Sequence, residues 1–492
     1  MKKKTLAILY YENNFEQCYK LSKKFSKRYK LVFISTSFFD SLTNLDLPHK
    51  KLTKLKQRSY SFFDEMHYFH KNIDNNIKID FKYIKRFEKK YLNQITIDQV
   101  INFDYFLNEK NNPREDVKFH KDKSKKILLV SLLLKKIERI IKTENIDIFF
   151  TMFNANFINN CIYYMSKKTK TKFVNTLLNR DCSISLSENF GLDFPSFIKK
   201  QNSISIPKSN LISFKKQYDE ILLKSNKNLS NLKTFFFGIV NEIKRIFLHI
   251  VDSKRFFLNS LDYKKFINKF GYGTEYYYQK KQFNLFFIHL RYILRSLFLH
   301  FYIFFKGKNS EEIFKRKYIY VPLHYYPEAY IYNQIKFDEL NMVNKILKNT
   351  PKEFCIVIKP HPIFFTYGYE QHKINYYEKL LKNKRVIITS PYTCSISLIK
   401  NAKTTITYTG TALLQSALLN KPSFRFGNSE LNIFNGIYSF FKKKINKKIL
   451  EKKINNNFNY NLLYLLNKNS VNENEIYTDK GRNKLVNLFF KL

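Results

Sequence analysis

Short apolar runs alternate with stretches of helical periodicity between residues 317 and 427. The apolar runs have the length of buried strands, and helix-length segments separate them. Parallel strands need long crossover connections, which are usually helices. The alternation therefore predicts an α/β fold with a parallel sheet that carries helices on both faces. The predicted strands are 317–323, 354–358, 385–388, 404–408 and 423–426, and the predicted helices are 333–349, 395–402 and 412–419.

The strand at 354–358 continues into the run Lys359-Pro360-His361-Pro362. The two prolines restrict the backbone on both sides of the histidine, so we expect His361 to lie in a rigid turn. Ligands of open α/β sheets bind at the carboxyl ends of the strands. An ionisable histidine beside a lysine at such an end favours a phosphate-bearing ligand. The alternative is a strand that merely ends in a proline-rich turn.

The strand at 404–408 continues into Thr409-Gly410-Thr411 and then into a helix. Glycine adopts backbone conformations that other residues resist, and either threonine could cap the helix with its hydroxyl group. The free N–H groups and the positive dipole end of a helix start form a natural phosphate site. An ordinary βαβ crossover with a threonine cap explains the same pattern without a ligand.

These motifs, taken in order, resemble those of bacterial capsule and surface-polysaccharide biosynthesis proteins. Those proteins are GT-B-type glycosyltransferases related to capsular Kdo transferases and, more distantly, to polysialyltransferases and teichoic-acid glycerophosphotransferases. The resemblance covers roughly residues 315–430. The motifs are Leu323-His-Tyr-Tyr-Pro-Glu328, Lys359-Pro-His-Pro362, Ser397-Leu-Ile399, Thr409-Gly-Thr-Ala412, Ala417-Leu-Leu-Asn-Lys-Pro422 and Phe426-Gly427.

The resemblance implies that this half of the chain binds a nucleotide-sugar donor, often a CMP-sugar. It gives catalytic roles to His361, which would contact the donor phosphate, and to Glu328, in the loop after the first strand of this half. Relatives often have glutamate where this chain has Gln415. A glutamine side chain also bonds hydroxyl groups, so the identity of the donor stays open. The implied donor-binding residues are Lys359, Ser390, Ser397, Thr409, Gly410, Thr411 and Gln415.

The amino-terminal half carries a second alternation of strands and helices, which predicts another parallel sheet. The predicted strands are 6–10, 31–35, 146–150 and 173–176. By resemblance, the fold is GT-B-like: two Rossmann-like domains face a cleft, and this half holds the acceptor. An inverting enzyme needs a general base there. The candidates for that base or for an acceptor contact are Glu12, Arg180, Asp181 and Glu188.

We divide the chain into an acceptor domain (1–203), a helical aromatic and basic connector (204–313), a donor domain (314–440) and a basic tail (441–492). Residues 479–492 have a helical pattern, and in GT-B enzymes a final helix commonly returns to the amino-terminal domain.

The connector contains two apolar, aromatic and basic stretches, Thr234–Leu258 and Phe283–Phe305. The second is long enough to span a bilayer. However, Arg291 and Arg295 within it make a span costly. We therefore expect a helix that lies on the membrane surface with its basic side chains reaching the headgroups. The alternative is a helical packing arm, which we favour for the first stretch.

The chain has 87 basic and 40 acidic residues, a net charge of +47. Richness in Lys, Asn, Ile, Phe and Tyr, with no Trp, indicates an AT-rich genome, which explains much of this charge. The remainder favours anionic partners such as lipid headgroups or acidic glycans. We expect no nucleic-acid partner, since no zinc-finger, helix-turn-helix or RNP-like motif is present.

The five cysteines have no CxxC spacing, which predicts reduced side chains and a cytoplasmic protein. The apolar run at the amino terminus is too short for a signal peptide, and we expect it to form the first strand. We expect neither a metal nor another cofactor.

The sequence thus predicts a cytoplasmic glycosyltransferase, peripheral on the inner face of the membrane. It would transfer a sugar from a nucleotide-sugar, which we expect to be CMP-linked, to a capsular, surface or lipid-linked glycan. One alternative is a transferase of glycerophosphate or phosphosugar from a CDP-linked donor. Another is a non-catalytic glycan-binding or assembly protein of a capsule complex.

Overall fold

The computed structural model describes residues 3–10, 14–36, 47–62, 64–65, 68–69, 80–92, 95–102, 123–152, 157–169, 171–178, 183–188, 207–224, 236, 239–240, 244, 294–295, 297–323, 339–361, 374–408, 410–427, 430–443, 445–452, 454 and 456–492. Two compact units make up the chain. Unit one combines Met1–Ser196, Ser253–Asn284 and Asn469–Leu492, and unit two combines Phe197–Asp252 and Leu285–Lys468. The domain boundaries at 203, 313 and 440 stay predictions.

Unit one is built on a sheet whose described strands have the order β13-β6-β5-β4-β1-β2-β3. Strands β3, β2, β1, β4 and β5 run parallel to their neighbours, which confirms the parallel sheet predicted for this half. Strands β6 and β13 extend it in antiparallel pairings. The strands are β1 (Thr5–Tyr10), β2 (Lys30–Ser35), β3 (Ser59–Tyr60), β4 (Ile148–Thr151), β5 (Lys172–Leu178), β6 (Ser183–Ser187) and β13 (Val471–Asn472).

Alternate residues of the unit-one strands face opposite sides, as the period of two requires. Ala7 and Leu9 of β1 pack into one core, whereas Leu6 and Ile8 pack into the other. Helices cover both faces. They are α1 (Phe15–Phe25), α2 (Leu47–Lys54), α3 (Phe81–Phe87), α4 (Ile97–Asn102), α5 (Lys123–Glu144), α6 (Phe157–Lys168) and α16 (Asp479–Lys491).

The last helix of the chain, α16, belongs to unit one, as the resemblance implies. The Thr478 hydroxyl group accepts a hydrogen bond from Gly481 N at 3.1 Å and so caps its start. Phe489 packs against Phe25 of α1, with ring centroids 4.7 Å apart. The carboxyl-terminal residues are therefore part of the core of the amino-terminal unit.

Unit two is built on a sheet whose described strands are all parallel, in the order β12-β11-β10-β7-β8-β9. Numbered from its first strand, this is the order 3-2-1-4-5-6 of the dinucleotide-binding folds. The predicted α/β architecture is confirmed, with both units Rossmann-like. The strands are β7 (Tyr318–Pro322), β8 (Cys355–Lys359), β9 (Val386–Ile388), β10 (Thr404–Thr407), β11 (Ser423–Arg425) and β12 (Ile437–Ser439).

Helices lie on both faces of this second sheet. One face packs Ile319 and Ile358 against α10 and α11, and the other packs Tyr318 and Val357 against α9 and α12. The helices of unit two are α7 (Lys208–Lys224), α8 (294–295 and 297–306), α9 (Ser310–Phe314), α10 (Glu339–Asn349), α11 (Ile374–Leu381), α12 (Ser395–Asn401), α13 (Thr411–Leu418), α14 (Lys447–Leu450) and α15 (Asn456–Lys468).

In the described part of the chain, no helix is both long enough and apolar enough to cross a bilayer. Most of the first apolar stretch, Thr234–Leu258, lies outside the described residues. Four cysteines are free thiols, as predicted, and Cys182 lies outside the described residues.

Candidate functional site

The carboxyl ends of β7 and β10 form the topological switch point of unit two. The chain proceeds from β7 to β8 and β9 on one side, and then crosses to β10 on the other side of β7. In open α/β sheets a crevice forms at this position, because the two following connections leave in opposite directions. The predicted motifs follow β8 and β10, the two neighbours of β7, so the fold brings both motifs to this edge.

The strand register places two cations in one row along this edge. Lys359 of β8 lies opposite Pro322 of β7, and Arg425 of β11 lies opposite Thr407 of β10. The Thr407 hydroxyl group donates to the Pro322 carbonyl at 3.1 Å, which links the two pairs. Three strand spacings separate the backbones of Lys359 and Arg425, roughly 14 Å. Both side chains lie on the face that α12 and α13 cover, because their strand neighbours pack into the opposite core.

Lys359 is joined to the first residue of α12. Its Nζ donates to Ser395 Oγ at 2.7 Å, and the buried Tyr320 hydroxyl group donates to the same oxygen at 3.2 Å. Burial raises the pKa of Tyr320, so its phenol stays protonated and remains a donor. With two donors directed at its oxygen, Ser395 retains its own hydroxyl proton to donate to a ligand.

Burial lowers the pKa of Lys359 from its ordinary value of 10.5 to about 8, against a smaller opposing effect of Cys394. Desolvation disfavours the ammonium, and a nearby anion favours it. A phosphate at this edge would therefore stabilise the ammonium form that burial penalises. A lysine whose charge is penalised by burial and that lies at a strand end of the switch point is a candidate binding residue.

Gly410 starts α13 in a conformation that requires glycine. Its φ is +133°, in the region that L side chains rarely adopt. Gly410, which has no side chain, occupies the cap position itself. Thr411 is already the first helical residue and is therefore not the cap, whereas Thr409 lies outside the described residues. Because a glycine at the cap position has no side chain to accept from the first-turn amides, this helix start suits an anion at the switch point.

The structure places the other predicted donor-site residues at several positions. His361 is partly exposed, two residues beyond Lys359, and Leu323 N bonds the Lys359 carbonyl at 2.9 Å, which fixes the strand end before the turn. Ser390 Oγ accepts a hydrogen bond from Tyr392 N at 3.3 Å. Gln415 lies one turn into α13 and is partly buried. Glu328 and Thr409 lie outside the described residues.

Ser395 is a candidate that sequence reasoning missed, in favour of Ser397. Two residues along a helix turn a side chain by about 200°. Ser397 is buried in the body of α12, whereas Ser395 contacts Lys359. Tyr320, Thr407 and Arg425 were missed as well. An arginine and a lysine at aligned strand ends can indicate an anion site, but this alignment is visible only once the strand register is known.

The acceptor-side candidates are mostly outside the described residues: Glu12, Arg180 and Asp181. Glu188 is described, and its carboxylate forms an ion pair with Lys172 at 2.5 Å. The role of Glu188 as a base or an acceptor contact stays a prediction. Within the described segments, no group of three or more His, Cys, Asp and Glu side chains could hold a metal ion.

Residues 314–475 match the family model of "Capsule polysaccharide biosynthesis protein". The match covers about a third of the chain and contains the whole row of site residues. The resemblance to capsule biosynthesis proteins, predicted from the motifs, is thereby confirmed for this segment. Among curated proteins, none matches the chain in sequence.

Several solved structures are similar to this chain at low identity. Thermosulfurimonas dismutans KpsC, a beta Kdo 2,7 transferase, is 11% identical, with 72% of this chain and 89% of that chain covered and a TM-score of 0.30. Methanocaldococcus jannaschii UDP-GlcNAc 2-epimerase is 11% identical, with coverage of 99% and 100% and a TM-score of 0.27. A Rickettsia africae glycosyltransferase is 13% identical, with coverage of 99% and 95% and a TM-score of 0.25. These similarities carry no argument about activity.

Proposed function

We propose that this protein is a GT-B-type glycosyltransferase of capsule or surface-polysaccharide biosynthesis. Its donor is a nucleotide-sugar, which we take to be CMP-linked, and its acceptor is a surface or lipid-linked glycan. The observation that carries the proposal is the Lys359–Ser395 pair together with the glycine at the start of α13, at the switch point of a segment that matches this family.

In this proposal the carboxyl edge of unit two binds the donor phosphate. The Lys359 ammonium group, the Ser395 hydroxyl group and the first amides of α13 supply positive charge and hydrogen-bond donors. Groups that are already oriented stabilise the charge that develops on a departing nucleotide without reorganising. His361 contacts the same phosphate and assists its departure. Arg425, whose guanidinium pKa is lowered by burial, lies in the same row and favours an anion at the β11 end.

The chemistry of a simple glycosyl transfer fits these groups. The bond between the anomeric carbon and the donor phosphate oxygen breaks, and the acceptor hydroxyl oxygen forms the new bond. A general base takes the hydroxyl proton, and the nucleotide phosphate carries away the negative charge. The proposal gives the charge-stabilising role that a metal has in other transferases to Lys359 and the α13 amides, so no metal is needed. Glu328 and the acceptor-side residues remain proposed participants.

The test is a thermal-shift panel of CMP, CDP, UDP and GDP on the purified full-length chain, with EDTA and then with Mg²⁺. We expect CMP to raise the melting temperature in EDTA, and His361→Ala to abolish that shift while the unliganded melting temperature stays the same. A larger shift with UDP or GDP would mean that the donor carries that nucleotide instead of CMP. A CDP preference would favour the glycerophosphate or phosphosugar transferase.

If CMP raises the melting temperature of the His361→Ala protein as much as that of the native chain, His361 is not part of the donor site. No response to any nucleotide would favour a non-catalytic assembly protein.

The proposed location is the cytoplasm, at the inner face of the membrane, where nucleotide-sugars and lipid-linked acceptors meet.

A further inference from the structure

Helix α8 carries a narrow apolar stripe on its exposed side. Phe298 and Phe305 are 64% and 74% exposed, and Leu294 and Phe301 are 48% and 44% exposed. At 100° per residue the four side chains fall within an arc of about 60°, along roughly 16 Å of helix. Large apolar side chains so exposed and so aligned mark an interaction surface. We call these four residues the α8 stripe.

The opposite side of α8 is fixed to unit two. Leu299 and Ile303 are buried in the core beneath the second sheet. The His300 ring stacks on Tyr392, which follows β9, with ring centroids 5.9 Å apart. At the end of the helix, Lys308 N bonds the Ile388 carbonyl at 2.9 Å. The helix therefore presents the stripe on a rigid base.

The end of α8 lies at the edge of the sheet that carries the candidate site. Ile388 is the last residue of β9, and its neighbour across the sheet is Ile358, next to Lys359. A β carbon at Gly307 would lie 2.5 Å from the Ile303 carbonyl oxygen and 3.2 Å from the Ile388 carbonyl oxygen, so helix and strand end are in close contact. Whatever binds the stripe is thereby held near the carboxyl edge.

The charge around the stripe is positive. Residues 294–309 include Arg295, Lys306 and Lys308 and contain no Asp or Glu, and the exposed Glu311 and Glu312 follow in α9. Lys306 is exposed, and the Lys308 ammonium group forms an ion pair with the Glu312 carboxylate at 3.1 Å. The whole chain carries a net charge of +47. Exposed aromatic side chains with basic flanks suit the interface of an anionic bilayer, where the rings enter the acyl boundary and the cations meet phosphate groups.

A second copy of this chain fits the stripe poorly. The three phenylalanines expose roughly 350 Å² at about 200 Å² per ring, whereas a stable protein interface buries about 800 Å² per partner. Two copies would also bring like charges together. Shallow insertion into lipid has no such minimum area, because each ring contributes on its own.

We propose that the α8 stripe docks the protein on anionic phospholipid, with Phe298 and Phe305 as its main inserted side chains. The docking holds the carboxyl edge of unit two near a lipid-linked acceptor; only this purpose rests on the proposed transferase function. The exposure, alignment and charge of α8 favour this docking whether or not the protein is a transferase.

The experiment is flotation of the full-length chain with vesicles of phosphatidylcholine, alone or with about a third phosphatidylglycerol. The test variant is Phe298→Ser/Phe305→Ser. The matched control is Phe81→Ser/Phe458→Ser, which removes two other exposed phenylalanines, 52% and 43% exposed. Circular dichroism melting checks that each variant is folded. Neither nucleotide nor turnover is needed, so a failure of the transferase proposal would leave this result unchanged.

We expect the native chain and the control to bind the anionic vesicles, and the stripe variant to bind them at least about tenfold more weakly. Binding to phosphatidylcholine alone is expected to be much weaker. A folded stripe variant that binds as well as the native chain would overturn the proposal, as would a native chain that fails to float. A dimer in sedimentation velocity that the stripe variant abolishes would assign the surface to a second copy instead.

Discussion

Replacement of Lys359 by methionine separates the binding role of this residue from its structural role. Methionine keeps most of the unbranched apolar part of the side chain and removes its charge. Burial lowers the pKa of Lys359 from 10.5 to about 8, and at 1.36 kcal/mol per pKa unit the folded state disfavours the ammonium at neutral pH by on the order of 3 kcal/mol. The lost hydrogen bond to Ser395 offsets about 1 kcal/mol of this. We expect Lys359→Met to raise the free energy of unfolding at pH 7 by about 1–2 kcal/mol.

The same substitution is expected to weaken nucleotide binding. A hydrogen bond from a charged donor contributes about 1.5–3 kcal/mol, which corresponds to a dissociation constant about 10-fold to 150-fold higher. A residue that matters only for packing would not give higher stability and lower affinity together. This opposition of signs is the signature of a charge retained for a ligand.

The pH dependence follows from the direction of the pKa shift. Between about pH 8 and 10.5 the unfolded chain binds the Lys359 proton and the folded protein does not. The Lys359 contribution to the free energy of unfolding therefore rises with pH through this window. Nucleotide binding has the opposite trend, because it needs the ammonium, so the affinity is expected to fall tenfold per pH unit above about pH 8. Both trends should be absent in Lys359→Met.

Isothermal calorimetry with CMP from pH 6.5 to 9.5, together with urea denaturation, measures both quantities. Lys421→Met is the matched control. Burial lowers the pKa of Lys421 as well, but this residue precedes β11, at the edge opposite the candidate site. It should raise stability and leave nucleotide affinity unchanged. A Lys359→Met protein that is less stable and binds CMP normally would refute the reasoning.

Two further substitutions test the helix starts. Ser395→Ala should weaken nucleotide binding about 5-fold to 10-fold, from one lost hydrogen bond, whereas Ser397→Ala, in the same helix, should leave the CMP affinity in calorimetry unchanged; equal losses would contradict the geometry of α12. Gly481→Ala should lower the free energy of unfolding by roughly 1–3 kcal/mol, because a β carbon there would lie 2.0 Å from the Glu475 carbonyl oxygen. Urea denaturation measures this cost, with Lys480→Ala at the neighbouring exposed residue as the control. Equal free energies of unfolding for the two variants would show that α16 accommodates the added methyl group.

Much of the architecture of unit two could be predicted from the sequence, because strands buried on both faces are continuous apolar runs. The run at 354–358 is β8, displaced by one residue, and the run at 404–408 is β10. Strands β3 and β13 have two residues each and could not be predicted. Such strands have no periodicity of their own and exist because a neighbouring strand offers an edge.

The site was predictable in its residue types and less so in its geometry. A strand end followed by Lys359 and His361 is a local pattern, and so is the glycine that starts α13. The partner of Lys359 is not local, because 36 residues separate it from Ser395. The choice between Ser395 and Ser397 depends on which side of α12 faces β8, and the packing of Leu398 and Ile399 decides this. Thr411 is not the cap of α13 for the same kind of reason. The crossover from β10 sets the backbone of residue 410 at a positive φ, and that constraint outweighs the capping preference of Thr411. The residues that chemistry demands are therefore visible in the sequence, whereas their pairing is a property of the packed sheet and helices.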